Sequence, residues 1–149
     1  MRRSGTTSDL RAPNFFALNL GLCLPFALGL AVAFPKRKVI AIDSDGSLMG
    51  DSSSLITVAD MNPANLVAFV MDNGSYAFMS ETFTTRRTDL AKMAEGAGIA
   101  NASTVKTLEE FSTAAKHAMA STGPTVIVAK VERDPGRVLP IAVALRAGR

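Results

Sequence analysis

Residues 38–50 read KVIAIDSDGSLMG, a nearly continuous apolar run that breaks into two aspartates, a glycine and a serine. A short apolar run bounded by turn residues predicts a parallel strand covered on both faces, here over residues 38–43. Ligands of parallel sheets bind beyond the carboxyl ends of the strands, so the Asp-rich tip is placed where chemistry is expected. Two chemistries use such a tip. In one, Asp43 attacks phosphorus and Asp45 serves as acid and base beside magnesium. In the other, Asp45 alone holds a metal against a diphosphate, and Asp43 only ends the strand.

Working outward, Asp51 and serines 52–54 predict the cap of a helix running to about Met61, with Leu55, Ile56, Val58 and Ala59 on its buried side. NPANL (62–66) is a turn, and LVAFVMD (66–72) is a second buried strand. Strand, helix and strand make one βαβ crossover, so both carboxyl ends share an edge, with neighbouring tips roughly 5–10 Å apart. Asp45 and Asn73, 28 positions apart, can then meet at one ion. Residues 73–87 read as a loop. A helix is predicted from about Thr88 to Glu95, closed by Gly96 and Gly98. TLEEFSTAAKHAMAS (107–121) is amphipathic, with Thr107 and Glu110 forming a capping box. TVIVAKV (125–131) is a third buried strand. Residues 1–13 are polar and read as a flexible N-terminal arm, and 133–149 as a C-terminal tail. Alternating strands and helices predict an α/β fold: three layers, with a mainly parallel sheet and helices on both faces.

The bulk properties narrow the function classes. The 149 residues suit one domain, with 48% hydrophobic and 19% charged residues. A net charge of +3, scattered basic residues, one Tyr and no Trp exclude a nucleic-acid footprint of the usual kind. A single cysteine, Cys23, permits no intrachain disulfide and suits a reducing compartment, so a cytoplasmic location is expected. With a single histidine, His117, as well, no ordinary zinc site is available. FFALNLGLCLPFALGLAVAF (15–34) is uncharged over 20 residues, long enough for a membrane span or a signal peptide. Asn19, Gly21, Pro25 and Gly29 interrupt it, and residues 21–34 are read instead as a buried helix whose small residues at 21, 25 and 29 permit close packing on the sheet. Leu20, Cys23 and Phe26 are expected in the core.

VIAIDSDGSL resembles the first motif of haloacid-dehalogenase-type hydrolases, the magnesium-dependent phosphatase reading in which Asp43 is the nucleophile. That family also needs a Ser or Thr at the end of its next motif strand, a later Lys and an acidic pair. Here LVAFVMDN ends in Asp-Asn, and the strand at 125–131 is followed by ERDPG. A truncated non-catalytic protein or a membrane-inserted one is the remaining alternative.

A second resemblance covers more residues. SDG at 44–46, then 26 residues, then Asn73 is similar to the thiamine-diphosphate motif, Gly-Asp-Gly followed after roughly two dozen residues by Asn. VMDNGSY (70–76) resembles the end of that motif in thiamine-dependent 2-oxoacid decarboxylases and acetolactate synthases. LGLCLPFALGLA (20–31) resembles the segment just before it. TDLAKMAEGAG and GPTVIVAKVE look like the remainder of the same C-terminal diphosphate-binding domain, as in the beta chains of sulfopyruvate and phosphonopyruvate decarboxylases. The domain so implied spans residues 14–132.

The resemblance implies thiamine diphosphate and Mg²⁺ as cofactors and a small 2-oxoacid as substrate. It implies Asp45, Asn73 and the backbone at Ser75 as metal ligands. Leu18, Leu20, Gly46, Ser47 and Tyr76 complete the cofactor contacts, Leu20 standing where a bulky apolar residue props the cofactor. The family's activating glutamate lies on a pyrimidine-binding domain, so a partner subunit bearing it and a homo- or hetero-oligomer are implied, with the first elements of the domain lacking here. Ser44 stands where the motif has its first Gly, and Leu18 and Ala77 where glycines are common; a side chain at 44 is expected to tilt the loop.

Overall fold

The computed structural model describes residues 19–76 and 80–133. Four parallel strands form its main sheet in the order β1-β2-β6-β5: β1 (Val39–Ser44), β2 (Leu66–Asp72), β6 (Thr125–Lys130) and β5 (Asn101–Val105). A two-stranded ribbon, β3 (Ser75–Tyr76) with β4 (Ser80–Glu81), and a 3-10 turn (Phe83–Thr85) occupy much of the predicted 73–87 loop. The helices are α1 (Cys23–Ala33), α2 (Asp45–Gly50), α3 (Ser54–Met61), α4 (Leu90–Ala97) and α5 (Leu108–Ala120).

Alternation along β2 divides the core. Leu66, Ala68 and Val70 face a cluster built with Leu24, Leu28, Leu48, Leu55, Val58 and Leu90, so α1 to α4 cover one side. Val67 and Phe69 face Ile127, Ala129 and the α5 residues Phe111, Ala114, Ala115 and Ala118 on the other. Each fully buried Leu or Val contributes about 1.5–3 kcal/mol relative to its exposed state. The expected three-layer α/β architecture is therefore observed.

The β1–β2 register pairs Ser44 with Met71, so the two polar tips beyond them are adjacent. The crossover between these strands carries α3, as read from sequence, but α3 starts at Ser54, and α2 precedes it from Asp45. The segment after the Asp-rich tip is thus helical at once: extended Ser44 (φ −115°) caps α2, its Oγ accepting from the Ser47 N–H at 3.2 Å. An extended φ suits any residue, so Ser44 in place of Gly brings no backbone strain.

Several expectations need correction. β1 is an edge strand, and Ile40 and Ile42 are exposed, because α5 does not reach that end of the sheet. Ile56 is exposed as well; the buried side of α3 is Ser54, Leu55 and Val58. On α1 the packing face is Leu24, Ala27, Leu28 and Ala31, while Gly29 faces away, and a Cβ there would meet nothing within 4 Å. Leu20 is exposed and Phe26 partly so, while Cys23 is half-buried. β5 and α2 complete the fold where no element was predicted. The predicted helix after the loop runs from Leu90 to Ala97, shifted by two residues, with Asp89 as its cap. The capping box of α5 is present as predicted, and His117 lies on the exposed side of that helix. Among the described residues, no helix is long and apolar enough to cross a membrane.

One buried polar side chain fixes α1 against the strand that follows. Asn65 Nδ2 donates to the carbonyls of Ala31 (3.1 Å), Phe34 (3.0 Å) and Arg37 (2.6 Å), satisfying the end of α1 and the turn leading to β1. Replacing it by Ala removes all three side-chain contacts, leaving Phe34 O with the Arg37 N–H alone. We expect N65A to lose about 1–3 kcal/mol of stability, read by urea unfolding; an unchanged midpoint contradicts this role.

Candidate functional site

Strand β1 ends at the start of α2, and β2 ends in the Asp72-Asn73-Gly74 turn, so two polar segments meet at one sheet edge. Asp45 at the head of α2 has no solvent exposure. Its Oδ2 accepts from Thr82 Oγ1 at 2.5 Å and from Thr84 Oγ1 at 3.2 Å. Among the described residues its Oδ1, also buried, has no hydrogen-bond partner. The two threonine hydroxyls touch each other at 2.7 Å, and Thr84 reaches on to Asp72 Oδ1 at 2.8 Å. Asp72 Oδ2 is paired with the Lys130 ammonium at the end of β6.

Two carboxylates and one ammonium leave this cluster with a formal excess of negative charge. The two hydroxyls supply two protons for four O···O contacts, so the contacts cannot all be hydrogen bonds at one time. A buried carboxylate oxygen left unpaired is costly, and a cation bound there would offset both that cost and the excess negative charge. Among the described residues no group of three or more His, Cys, Asp or Glu is placed to share a metal. A cation at Asp45 therefore has to draw on neutral oxygens and on oxygens from a bound ligand.

Asn73 belongs to the same edge. Its Oδ1 accepts from the Ser75 N–H at 2.9 Å, a local turn that fixes the amide while leaving a second lone pair. Gly74 follows at φ +66°, and its carbonyl accepts from Thr82 N at 2.9 Å. Ser75 is buried and pairs with Glu81 in the ribbon. Gly46 is needed for a close approach: a Cβ there would lie 2.6 Å from the Tyr76 ring. Ser47 Oγ accepts from the Gly21 N–H at 3.1 Å, which ties the turn before α1 to α2 and sets the exposed Leu20 beside the same edge. The structure thus brings Asp45, Gly46, Ser47, Asn73, Ser75 and Tyr76 to one edge, with Leu20 next to it, whereas Leu18 lies outside the described residues. Thr82, Thr84, Asp72 and Lys130 were not foreseen; threonines in a loop carry no spacing signal that marks them.

Asp43 stands apart from this network. Its Oδ1 accepts the N–H of Ser44 at 2.9 Å, and among the described residues its buried Oδ2 has no hydrogen-bond partner. Burial raises its pKa above the usual carboxylate value, opposed by the Ser47 hydroxyl and the Ser44 N–H. The Cys23 thiol nearby is pushed up to about 11 by burial and by Asp43, so it stays protonated and unreactive at neutral pH.

The comparisons agree with this geometry. Residues 6–129 match the family described as thiamine pyrophosphate enzyme, C-terminal TPP binding domain. The chain is 37% identical over 123 residues to the sulfopyruvate decarboxylase subunit beta of Methanocaldococcus jannaschii, covering 80% of this chain and 64% of that one. It is 33% identical over 123 residues to the phosphonopyruvate decarboxylase of Streptomyces hygroscopicus, covering 81% of this chain and 30% of that one. A solved thiamine diphosphate-dependent 4-hydroxybenzoylformate decarboxylase from Rhodococcus jostii RHA1 superposes with a TM-score of 0.66 at 32% identity, over 77% of this chain and 24% of that one. The chain spans a little under two thirds of the length of the Methanocaldococcus relative.

A raised pKa makes ionised Asp43 a cost to the fold. Its contribution is most favourable below the ordinary value of 3.8 and is lost as pH rises through the raised one. D43N should therefore melt at a higher temperature than the wild type at pH 7, with the gap closing as pH falls toward 4; a lower melting temperature at pH 7 contradicts the burial argument. By the match of residues 6–129, the chain belongs to the thiamine pyrophosphate enzymes, as their C-terminal TPP-binding domain.

Proposed function

We propose that this chain is the thiamine-diphosphate- and magnesium-binding part of a 2-oxoacid decarboxylase or carboligase, working with a pyrimidine-binding domain on a partner chain. The observation that carries the proposal is the fully buried Oδ1 of Asp45, without a hydrogen-bond partner among the described residues, at the family motif's spacing from Asn73. Mg²⁺ takes six oxygens at near-octahedral angles and commonly relies on few protein groups plus phosphate. Asp45 Oδ1, the Asn73 amide oxygen and the Ser75 carbonyl supply the protein's share, and diphosphate oxygens and water complete the shell.

The remaining roles are ones of placement. Residues 14–132 form the binding unit. Gly46 and Ser47 stand at the diphosphate, with the Ser47 hydroxyl held in place by the Gly21 N–H that its oxygen accepts. Leu20, exposed beside the edge, offers the apolar support for the bent cofactor, and Tyr76 stands against Gly46; the backbone at Leu18 is assigned to the aminopyrimidine by the family resemblance alone. Bound there, the cofactor supplies the electron sink for loss of carbon dioxide from a small 2-oxoacid. The chain's own groups anchor, orient and hold charge. Both curated relatives described above are decarboxylases by name, which favours carbon dioxide loss over carboligation.

Calorimetry tests the proposal. The complex isolated from cells with this chain as bait should take up thiamine diphosphate only when Mg²⁺ is present. D45A should weaken that uptake at least about 100-fold, since it removes a charged ligand rather than a supporting contact. Undiminished binding by D45A, or binding that ignores Mg²⁺, overturns the assignment.

A further inference from the structure

The roles proposed for Asp45 concern the oxygen that is free; the other oxygen has its own arrangement. Thr82 is 1% exposed, and its Oγ1 sits 2.5 Å from Asp45 Oδ2. Its backbone is held on both sides: its N–H donates to Gly74 O at 2.9 Å, and its carbonyl accepts from Thr85 Oγ1 at 2.8 Å. A Cβ at Gly74 would come within 2.6 Å of Thr85 Cγ2, so the 82–85 turn lies directly on the 72–76 loop. Thr84 stands between the two carboxylates, 3.2 Å from Asp45 Oδ2 and 2.8 Å from Asp72 Oδ1. Asp72 is in turn held by Lys130. A chain of polar contacts thus runs from the end of β6 to a single oxygen of Asp45.

We propose that Thr82 and Thr84 are positioning residues for the cation: they saturate Asp45 Oδ2 and turn the carboxylate so that Oδ1 alone is presented. The proposal rests on the reading of Asp45 as a metal ligand. One-oxygen presentation matters to a small octahedral ion, because a carboxylate offering both oxygens fits the larger, irregular shells of calcium better. Thr84 has one proton and two carboxylate neighbours. That proton is shared between Asp45 Oδ2 and Asp72 Oδ1, so Thr84 ties the Asp45 carboxylate to the Asp72–Lys130 pair while Thr82 holds Oδ2 at shorter range. Hydroxyls that orient a ligating carboxylate typically change metal affinity 10–100-fold when lost.

The test uses the same isolated complex with thiamine diphosphate present and Mn²⁺ as the probe, free ion being read by its electron paramagnetic resonance lines. T82V should need at least about 10-fold more Mn²⁺ for half-saturation, whereas T82S, which keeps the hydroxyl, should stay within about 2-fold of wild type. T84V should raise the requirement by a smaller factor. At saturating Mn²⁺, T82V should recover wild-type affinity for thiamine diphosphate, which a merely misfolded loop does not allow. T84V changes a half-buried side chain and decides the matter alone where T82V does not fold. Wild-type Mn²⁺ affinity in T84V and in any folded T82V overturns the inference while leaving the metal site standing. A wild-type complex that binds neither Mn²⁺ nor thiamine diphosphate overturns the reading of the site and the inference together.

Discussion

A carboxylate with no exposed surface, placed where a strand turns into a helix, is the constraint on which this structure turns. Taking such a group out of water costs several kcal/mol unless charge or hydrogen bonds replace the solvent. Asp45 receives two hydroxyl contacts on one oxygen and none on the other. Each hydroxyl is there because another part of the chain is in register. Thr82 depends on the Gly74 carbonyl, Gly74 on the end of β2, and β2 on its six-residue parallel pairing with β1. The polar site and the sheet are consequently one construction.

The sheet supports the site unevenly. Among the described residues, one face is packed by four helices and the other by α5 alone, and Ile40 and Ile42 on the edge strand are exposed. An apolar run as continuous as KVIAID signals burial on both faces but cannot say whether a strand is central or at the edge. The two residues that misled the reading of β1 are therefore its outward-facing isoleucines. The same limit applies to α1, which is apolar on every side, so its sequence does not reveal that Leu24, Ala27, Leu28 and Ala31 form the packed face and Gly29 the outer one.

Much of the site was legible because its parts carry strong local grammar. The apolar strands, the turn at Asn73-Gly74 and the capping box of α5 follow from short-range rules, and the spacing from Asp45 to Asn73 needs only a βαβ crossover to bring the tips together. What escaped was of two kinds. α2 begins without a break from the strand, capped by a serine that also fits a loop, and β5 is NASTV, small and polar because it lies at an edge. Thr82, Thr84, Asp72 and Lys130 escaped because their roles exist only in three dimensions: they come from a loop and two strand ends, and no periodicity links them. A hydroxyl that completes a carboxylate looks, in sequence, like any turn residue.

The division of labour at Asp45 also bears on which ion suits the site. Calcium shells take six to eight oxygens and readily use both oxygens of a carboxylate, whereas magnesium accepts one from each and keeps places for phosphate and water. Here the second carboxylate oxygen is already occupied, and Asp72, joined to Asp45 through Thr84, is committed to Lys130 and Thr84. Few protein charges are left to offer, so a cation at Oδ1 is held firmly only when an anionic ligand arrives with it. On the proposed reading of the site, metal and diphosphate binding are mutually dependent: the ion needs the ligand's oxygens, and the ligand's charge needs the ion in a cluster that is already negative.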